Sequence, residues 1–128
     1  MKIQTKVFNV PDQENHVLML ARGVLDARGV EQILNEAAVM VFRQPNCNLL
    51  IDLIDAECKI DFDEIERLLP PDRQDVWPRN CKIALVSSPR QDDFNQLATL
   101  NTFLSTSGRR TAVFRDAKSA LAWLAESV

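Results

Sequence analysis

No apolar run in the sequence approaches the ~20 residues a helix needs to span a bilayer, so insertion into a membrane is not expected. The opening Met1-Lys2-Ile3-Gln4-Thr5-Lys6 lacks the apolar segment of a secretory signal, which makes the cytoplasm the expected location. Basic clustering is missing too. Lys and Arg number 15 against 18 Asp and Glu, a net charge of −3, and the one adjacent basic pair, Arg109-Arg110, sits beside a turn at Gly108. Nucleic-acid recognition usually shows a basic patch or stripe, so no nucleic-acid partner is expected. The three cysteines, Cys47, Cys58 and Cys81, cannot all pair and form no C-x-x-C spacing. Cys47 and Cys81 each open an apolar segment, where cysteine acts as a small hydrophobe. His16, the one histidine, has no companions that would make a triad and is expected at the surface. There is no dinucleotide fingerprint, no nucleophile-base pairing and no metal-ligand cluster. The expectation is a protein that is not an enzyme, with no catalytic residue, no cofactor and no metal.

What is present is an ordinary globular composition, 46% apolar and 26% charged, in 128 residues, the size of one domain over 1–128. Residues 2–8 alternate weakly and suggest an edge strand. Pro11 to Asn15 is turn chemistry. Residues 16–22, 49–54 and 81–86 are nearly continuous apolar runs, the signature of strands covered on both faces. Residues 111–114 form a last strand. Between the strands lie helical patterns. Asp26 caps the first, with Val30, Ile33, Leu34, Ala37 and Val41 on one stripe and Pro45 as its stop; Met40 and Phe42 flank that stripe. Asp61 and Glu64 form a capping-box-like pair before Ile65, Leu68 and Leu69, and Pro70-Pro71 ends that helix. A polar loop holding Trp77-Pro78 follows. Ser88-Pro89 starts the third helix, with Phe94, Leu97, Ala98 and Leu104 inward and Gly108 as the stop. Asp116 caps the last, with Ala117, Ala120, Leu121 and Leu124 on one face. The order β-β-α-β-α-β-α-β-α, with helical crossovers, predicts an α/β fold whose mixed, mostly parallel five-stranded sheet carries four helices.

Two stretches resemble the STAS superfamily, the sulphate-transporter and anti-sigma-factor-antagonist domains. Gly23-Val24-Leu25-Asp26 is similar to that family's G-x-L-D element at the end of its second strand. Leu50-Ile51-Asp52-Leu53 through Asp61 is similar to the strand that leads into its D-S-S/T-G switch. The segment from Lys82 through Val113-Phe114-Arg115-Asp116 to Ala120-Leu121-Ala122-Trp123-Leu124 looks like the STAS-like, Sec14-like branch. The resemblance covers nearly the whole chain and implies a regulatory domain that binds other proteins. It also implies a switch hydroxyl at the start of the second helix. Asp61-Phe62-Asp63-Glu64 has none, so phosphoserine switching at this place is chemically impossible, and Asp63 stands only as a candidate mimic of a permanently charged state.

Ligands of parallel α/β sheets favour the carboxyl ends of the strands, which correspond here to Gly23–Asp26, Glu57–Asp63, Ser87–Asp93 and Arg115–Asp116. Asp26, Asp61, Asp63, Asp92, Asp93 and Asp116 are expected to crowd that edge with negative charge. Ser87-Ser88-Pro89-Arg90 is a poor phosphate seat without glycines. The leading expectation is a non-enzymatic domain that docks another protein through Glu57, Asp61, Phe62, Asp63 and Glu64. A small-molecule or lipid-binding module of Sec14-like type is the alternative, and it requires a sizeable apolar cavity. Leu100 and Phe103 fall off the predicted inward stripe of the third helix and are a candidate surface for a homodimer, with core packing as the other reading.

Overall fold

The computed structural model describes residues 1–8, 16–43, 48–68, 82–105 and 110–126, with the side chains of residues 6–8 outside that description. The expected turn at Pro11–Asn15, Pro45, Cys47, Leu69, Pro70-Pro71, Trp77-Pro78, Cys81, Gly108 and Arg109 lie outside the described residues. The elements run β1 (Lys2–Phe8), β2 (His16–Leu25), α1 (Ala27–Arg43), β3 (Asn48–Leu53), β4 (Ala56–Cys58), α2 (Phe62–Leu68), β5 (Lys82–Ser87), α3 (Gln91–Ser105), β6 (Arg110–Phe114) and α4 (Ala117–Ala125). The five expected strands line up in the order β1-β2-β3-β5-β6, and a sixth, the three-residue β4, pairs with β2 beyond the end of β3. β1 runs antiparallel to β2; the pairs β2–β3, β2–β4, β3–β5 and β5–β6 are parallel.

Side-chain alternation divides the core between the two faces of this sheet. Val17, Met19, Ala21, Leu49, Ile51, Leu53, Ile83 and Leu85 point to one face. There they meet the apolar sides of α1, α2 and α3, among them Val30, Ile33, Leu34, Ile65, Leu97 and Leu104. Leu50, Ala84 and Val86 point the other way, where Ala120 and Leu124 of α4 cover them with Phe114 and Trp123 alongside. β5 is buried at every residue and β3 at all but Asp52, which is why both read as unbroken apolar runs.

β2 changes partners along its length, from β3 at His16–Leu20 to β4 at Gly23–Leu25. Gly23 sits at the change with φ +106, a region that L-side chains rarely adopt, and its N–H reaches Asp55 O at 3.4 Å. The glycine of the G-x-L-D element is therefore the bend that lets one strand serve two neighbours.

Two expectations need correction. Leu100 is not at the surface: at 4% exposure it belongs to the core, because α3 buries Asp93, Leu97, Leu100 and Leu104, a stripe one residue removed from the one that starts at Phe94. Phe103 is half-buried and packs against the same core. His16 is likewise buried, at 1% exposure, because it opens a strand covered on both faces.

Candidate functional site

Because the strands from β2 to β6 are parallel, their carboxyl ends share one edge of the sheet, and every helix starts there. Three of the four starts are closed by an aspartate. Asp26 Oδ1 accepts from Gly29 N at 2.8 Å. Asp61 Oδ1 accepts from Asp63 N at 3.0 Å and Glu64 N at 3.4 Å. Asp116 Oδ1 accepts from Ser119 N at 2.7 Å, and the backbone and hydroxyl of Ser119 hold the Asp116 carboxyl below its usual range. Before α3, Ser88 Oγ accepts from Arg90 N at 3.3 Å, one residue outside the helix. These carboxylates already occupy the N–H groups that would otherwise seat an anion.

The arm formed by β4 and α2 carries the densest charge. Residues 54–68 hold Asp55, Glu57, Asp61, Asp63, Glu64 and Glu66 against Lys59 and Arg67. Asp55, Glu57, Asp61, Asp63 and Glu66 are exposed, Glu64 is half-buried, and Phe62 turns inward onto the core. Lys59 and Glu57 form one open ion pair at 3.8 Å. The structure thus places Glu57, Asp61, Asp63 and Glu64 along one short segment of the rim, while Phe62 serves packing.

Asp93 departs from the expected acidic edge. It is 3% exposed and faces the outer side of β4, not solvent. Its Oδ1 accepts from Cys58 N at 2.9 Å, and its Oδ2 accepts from Ser88 Oγ at 2.5 Å and Arg90 Nε at 2.8 Å. Burial alone would raise its pKa; the bonds from Ser88, the Cys58 N–H and Arg90 outweigh that and hold the carboxyl below its usual range. Arg90 Nη2 donates to Ala56 O at 3.2 Å. Three residues further along α3, the Gln96 amide donates to Cys58 O at 3.0 Å and accepts from Ile60 N at 2.9 Å. β5 ends at Ser87 opposite Leu53 and so does not reach β4. In its place, three side chains of α3 and its approach satisfy Ala56 O, Cys58 N, Cys58 O and Ile60 N.

Sequence reasoning missed β4 and the roles of Arg90, Asp93 and Gln96. The clue was the i, i+3 pattern of Arg90, Asp93 and Gln96, which puts three polar groups on one helix face directly after a strand. Cys58 lies against Asp93, and burial first, then that carboxylate, pushes its thiol up to about 12. A thiol held there stays protonated at neutral pH. Among the described residues no three of His, Cys, Asp and Glu come together to hold a metal ion, and no helix is long and apolar enough to cross a membrane. An apolar void under α1 and α3, lined by residues such as Leu25, Ile51, Leu85 and Leu100, measures about 20 Å³. That is on the order of a single water-sized sphere and holds no acyl chain.

This arrangement is the SpoIIAA-like, STAS-like fold. At TM-score 0.60 and 17% identity, the chain is similar to the crystal structure of an uncharacterised protein of the DUF3478 family, with a SpoIIAA-like fold, from Shewanella loihica PV-4; the match covers 95% of this chain and 93% of that one. It also matches the anti-sigma factor antagonist SpoIIAA in its unphosphorylated form at TM-score 0.47 and 14% identity, over 94% of this chain and 96% of that one. No family model and no curated protein matches the sequence.

Proposed function

We propose that this chain is a non-enzymatic STAS-like interaction domain that docks a basic surface of another protein on the β4–α2 arm. The observation that carries the reading is the run of exposed carboxylates Asp55, Glu57, Asp61, Asp63 and Glu66 on one rim segment. Such a run steers a cationic partner and sets its orientation more than it adds raw affinity. The SpoIIAA-like fold is consistent with a binding role, and the other reactive groups near the rim are already engaged: Ser88 and Asp93 are buried against each other, and the Cys58 thiol is held protonated. Asp61-Phe62-Asp63-Glu64 offers no hydroxyl for a kinase, so the charge of this arm is permanent. The small apolar void supplies no support for the lipid-binding alternative.

The test must spare Asp61, because it caps α2. A variant carrying Glu57→Lys, Asp63→Lys and Glu66→Lys, immobilised beside the wild-type protein, is expected to lose the cellular proteins that wild type retains at low salt and releases at high salt. An identical set of retained proteins on the two surfaces would count against the proposal.

A further inference from the structure

We propose that Arg90, Asp93 and Gln96 are a latch that holds the β4–α2 arm onto α3 as one releasable unit, which makes this arm a conformational device built into the fold. The arm and the rest of the sheet are held in contrasting ways. β3 is paired on both sides, to β2 and to β5, with five residues in register each time. β4 has three residues in register, with β2, and among the described residues its other edge meets side chains instead of a strand. Among the described residues, four bonds to that edge come from three side chains within seven residues of sequence, Arg90 to Gln96. α2 is seven residues long, too short to hold its own helical form without packing. It leans on the core through Ile65, Phe62 and Leu68. A segment with a short ladder, side-chain bonds and a short helix is the kind that opens before the core does.

The bonding pattern makes the opening cooperative. Asp93 joins Ser88, Arg90 and Cys58, so removing its charge also loosens Arg90, whose guanidinium reaches on to Ala56 O. Gln96 bonds the next turn of the same edge, at Cys58 O and Ile60 N. Beyond that edge Asp61 starts α2, where Ile65 N bonds Asp61 O at 3.1 Å. Loss of either grip frees the same stretch. That the freed stretch is the docking arm rests on the reading above; the latch itself does not.

Amide hydrogen exchange of the full chain, followed by NMR with no partner present, tests the latch. In wild type, the amides of Cys58, Ile60 and Ile65 are expected to exchange at similar rates and faster than those of Ile51 and Leu85. Asp93→Asn should accelerate all three by about tenfold or more, with the three still exchanging faster than Ile51 and Leu85, which speed up by no more than the loss of global stability read from urea unfolding of the same variant. Gln96→Ala should accelerate the same three, including Cys58 N, which Gln96 does not touch. Acceleration confined to the amide that lost its own acceptor, or wild-type exchange at Cys58, Ile60 and Ile65 as slow as at Ile51 and Leu85, would overturn the latch. Should Asp93→Asn fail to fold, Gln96→Ala on its partly exposed position decides the matter. The exchange pattern does not depend on partner retention, so failure of the latch and failure of the docking reading are separable.

Discussion

The two ends of the sheet each use a buried charged side chain to finish a backbone edge, with opposite sign and opposite consequence. At the carboxyl end, the Asp93 carboxylate accepts from an N–H group of β4. At the amino end, the Lys82 ammonium donates to Glu126 O at 2.6 Å and to Trp123 O at 2.9 Å, which also accepts from Glu126 N at 3.2 Å, at the end of α4. Asn48 joins that second cluster, accepting from Lys82 N at 3.2 Å and donating to Leu124 O at 3.3 Å. The Trp123 ring lies 5.1 Å from the same ammonium. A cation at a helix C-terminus and an anion facing backbone N–H groups are each electrostatically favoured. They differ in what they hold. Lys82 fastens a nine-residue helix that packs Ala120 and Leu124 against the sheet, whereas Asp93 fastens a three-residue strand that packs Ala56 and Cys58 and, among the described residues, pairs with β2 alone.

The comparison is broken most directly at its acidic end. Asp93→Ala leaves the Cys58 N–H and the buried Ser88 hydroxyl without their acceptor, and takes from Arg90 its carboxylate partner while its bond to Ala56 O remains. A loss of about 3 kcal/mol in urea unfolding is expected, reduced from the figure for a fully buried pair because the Arg90 side chain is 55% exposed. Lys82→Met keeps the apolar stem and removes two charge-assisted bonds and the ring contact. It should cost less, about 2 kcal/mol, with faster amide exchange in α4 and unchanged exchange at Cys58 and Ile60. If Lys82→Met also accelerated Cys58 and Ile60, the two ends would be one cooperative unit and the contrast between them would fail.

Acid separates the two ends by sign. The folded pKa of Asp93 lies below the unfolded carboxylate value of about 3.9, so its stabilisation is complete above that value and drains away as the pH falls through the folded one. Stability of the wild type should therefore fall below about pH 4, and that fall should be shallower in Asp93→Asn. Lys82→Met should lower the whole curve without changing the acid limb. An acid limb of equal steepness in wild type and Asp93→Asn would assign it to other carboxylates, such as Asp116, whose pKa is also depressed.

The parts of the fold legible in the sequence are those whose environment matches a simple period. β3 and β5 show as apolar runs because both faces are covered, and Asp26, Asp61 and Asp116 show as caps because a short acceptor before a helical stripe has one common use. β4 escaped because its alternation, Ala56 and Cys58 in and Glu57 out, lasts three residues and looks like polar loop. The face of α3 was misjudged for a related reason. A stripe drawn through apolar residues begins at Phe94, but this helix turns a carboxylate inward because its first turns meet a backbone edge, and Leu100, seven residues after Asp93, goes in with it. Phe94 is left at the side, where the Arg115 guanidinium lies 4.0 Å from its ring centroid. The acidic arm was legible as composition; that α3 holds it was not, because those bonds span 34 to 38 residues of sequence.

The smallest perturbation uses Cys58, which sits under the latch with its thiol pushed up to about 12. In a Cys47→Ser, Cys81→Ser background it becomes the one thiol in the chain. At pH 8 the closed arm presents almost no thiolate, because burial and the neighbouring Asp93 hold the thiol well above its ordinary range. Alkylation must then wait for the arm to open and the thiol to return to its ordinary range. Labelling should be slow in this background and faster by several-fold in the same protein carrying Gln96→Ala, with the unfolding midpoint shifted little. Adding Lys82→Met instead should leave the labelling rate where it was, because α4 opens at the other end of the sheet. Equal acceleration by the two substitutions would mean that Cys58 is reached by global unfolding, and the arm would lose its claim to move alone.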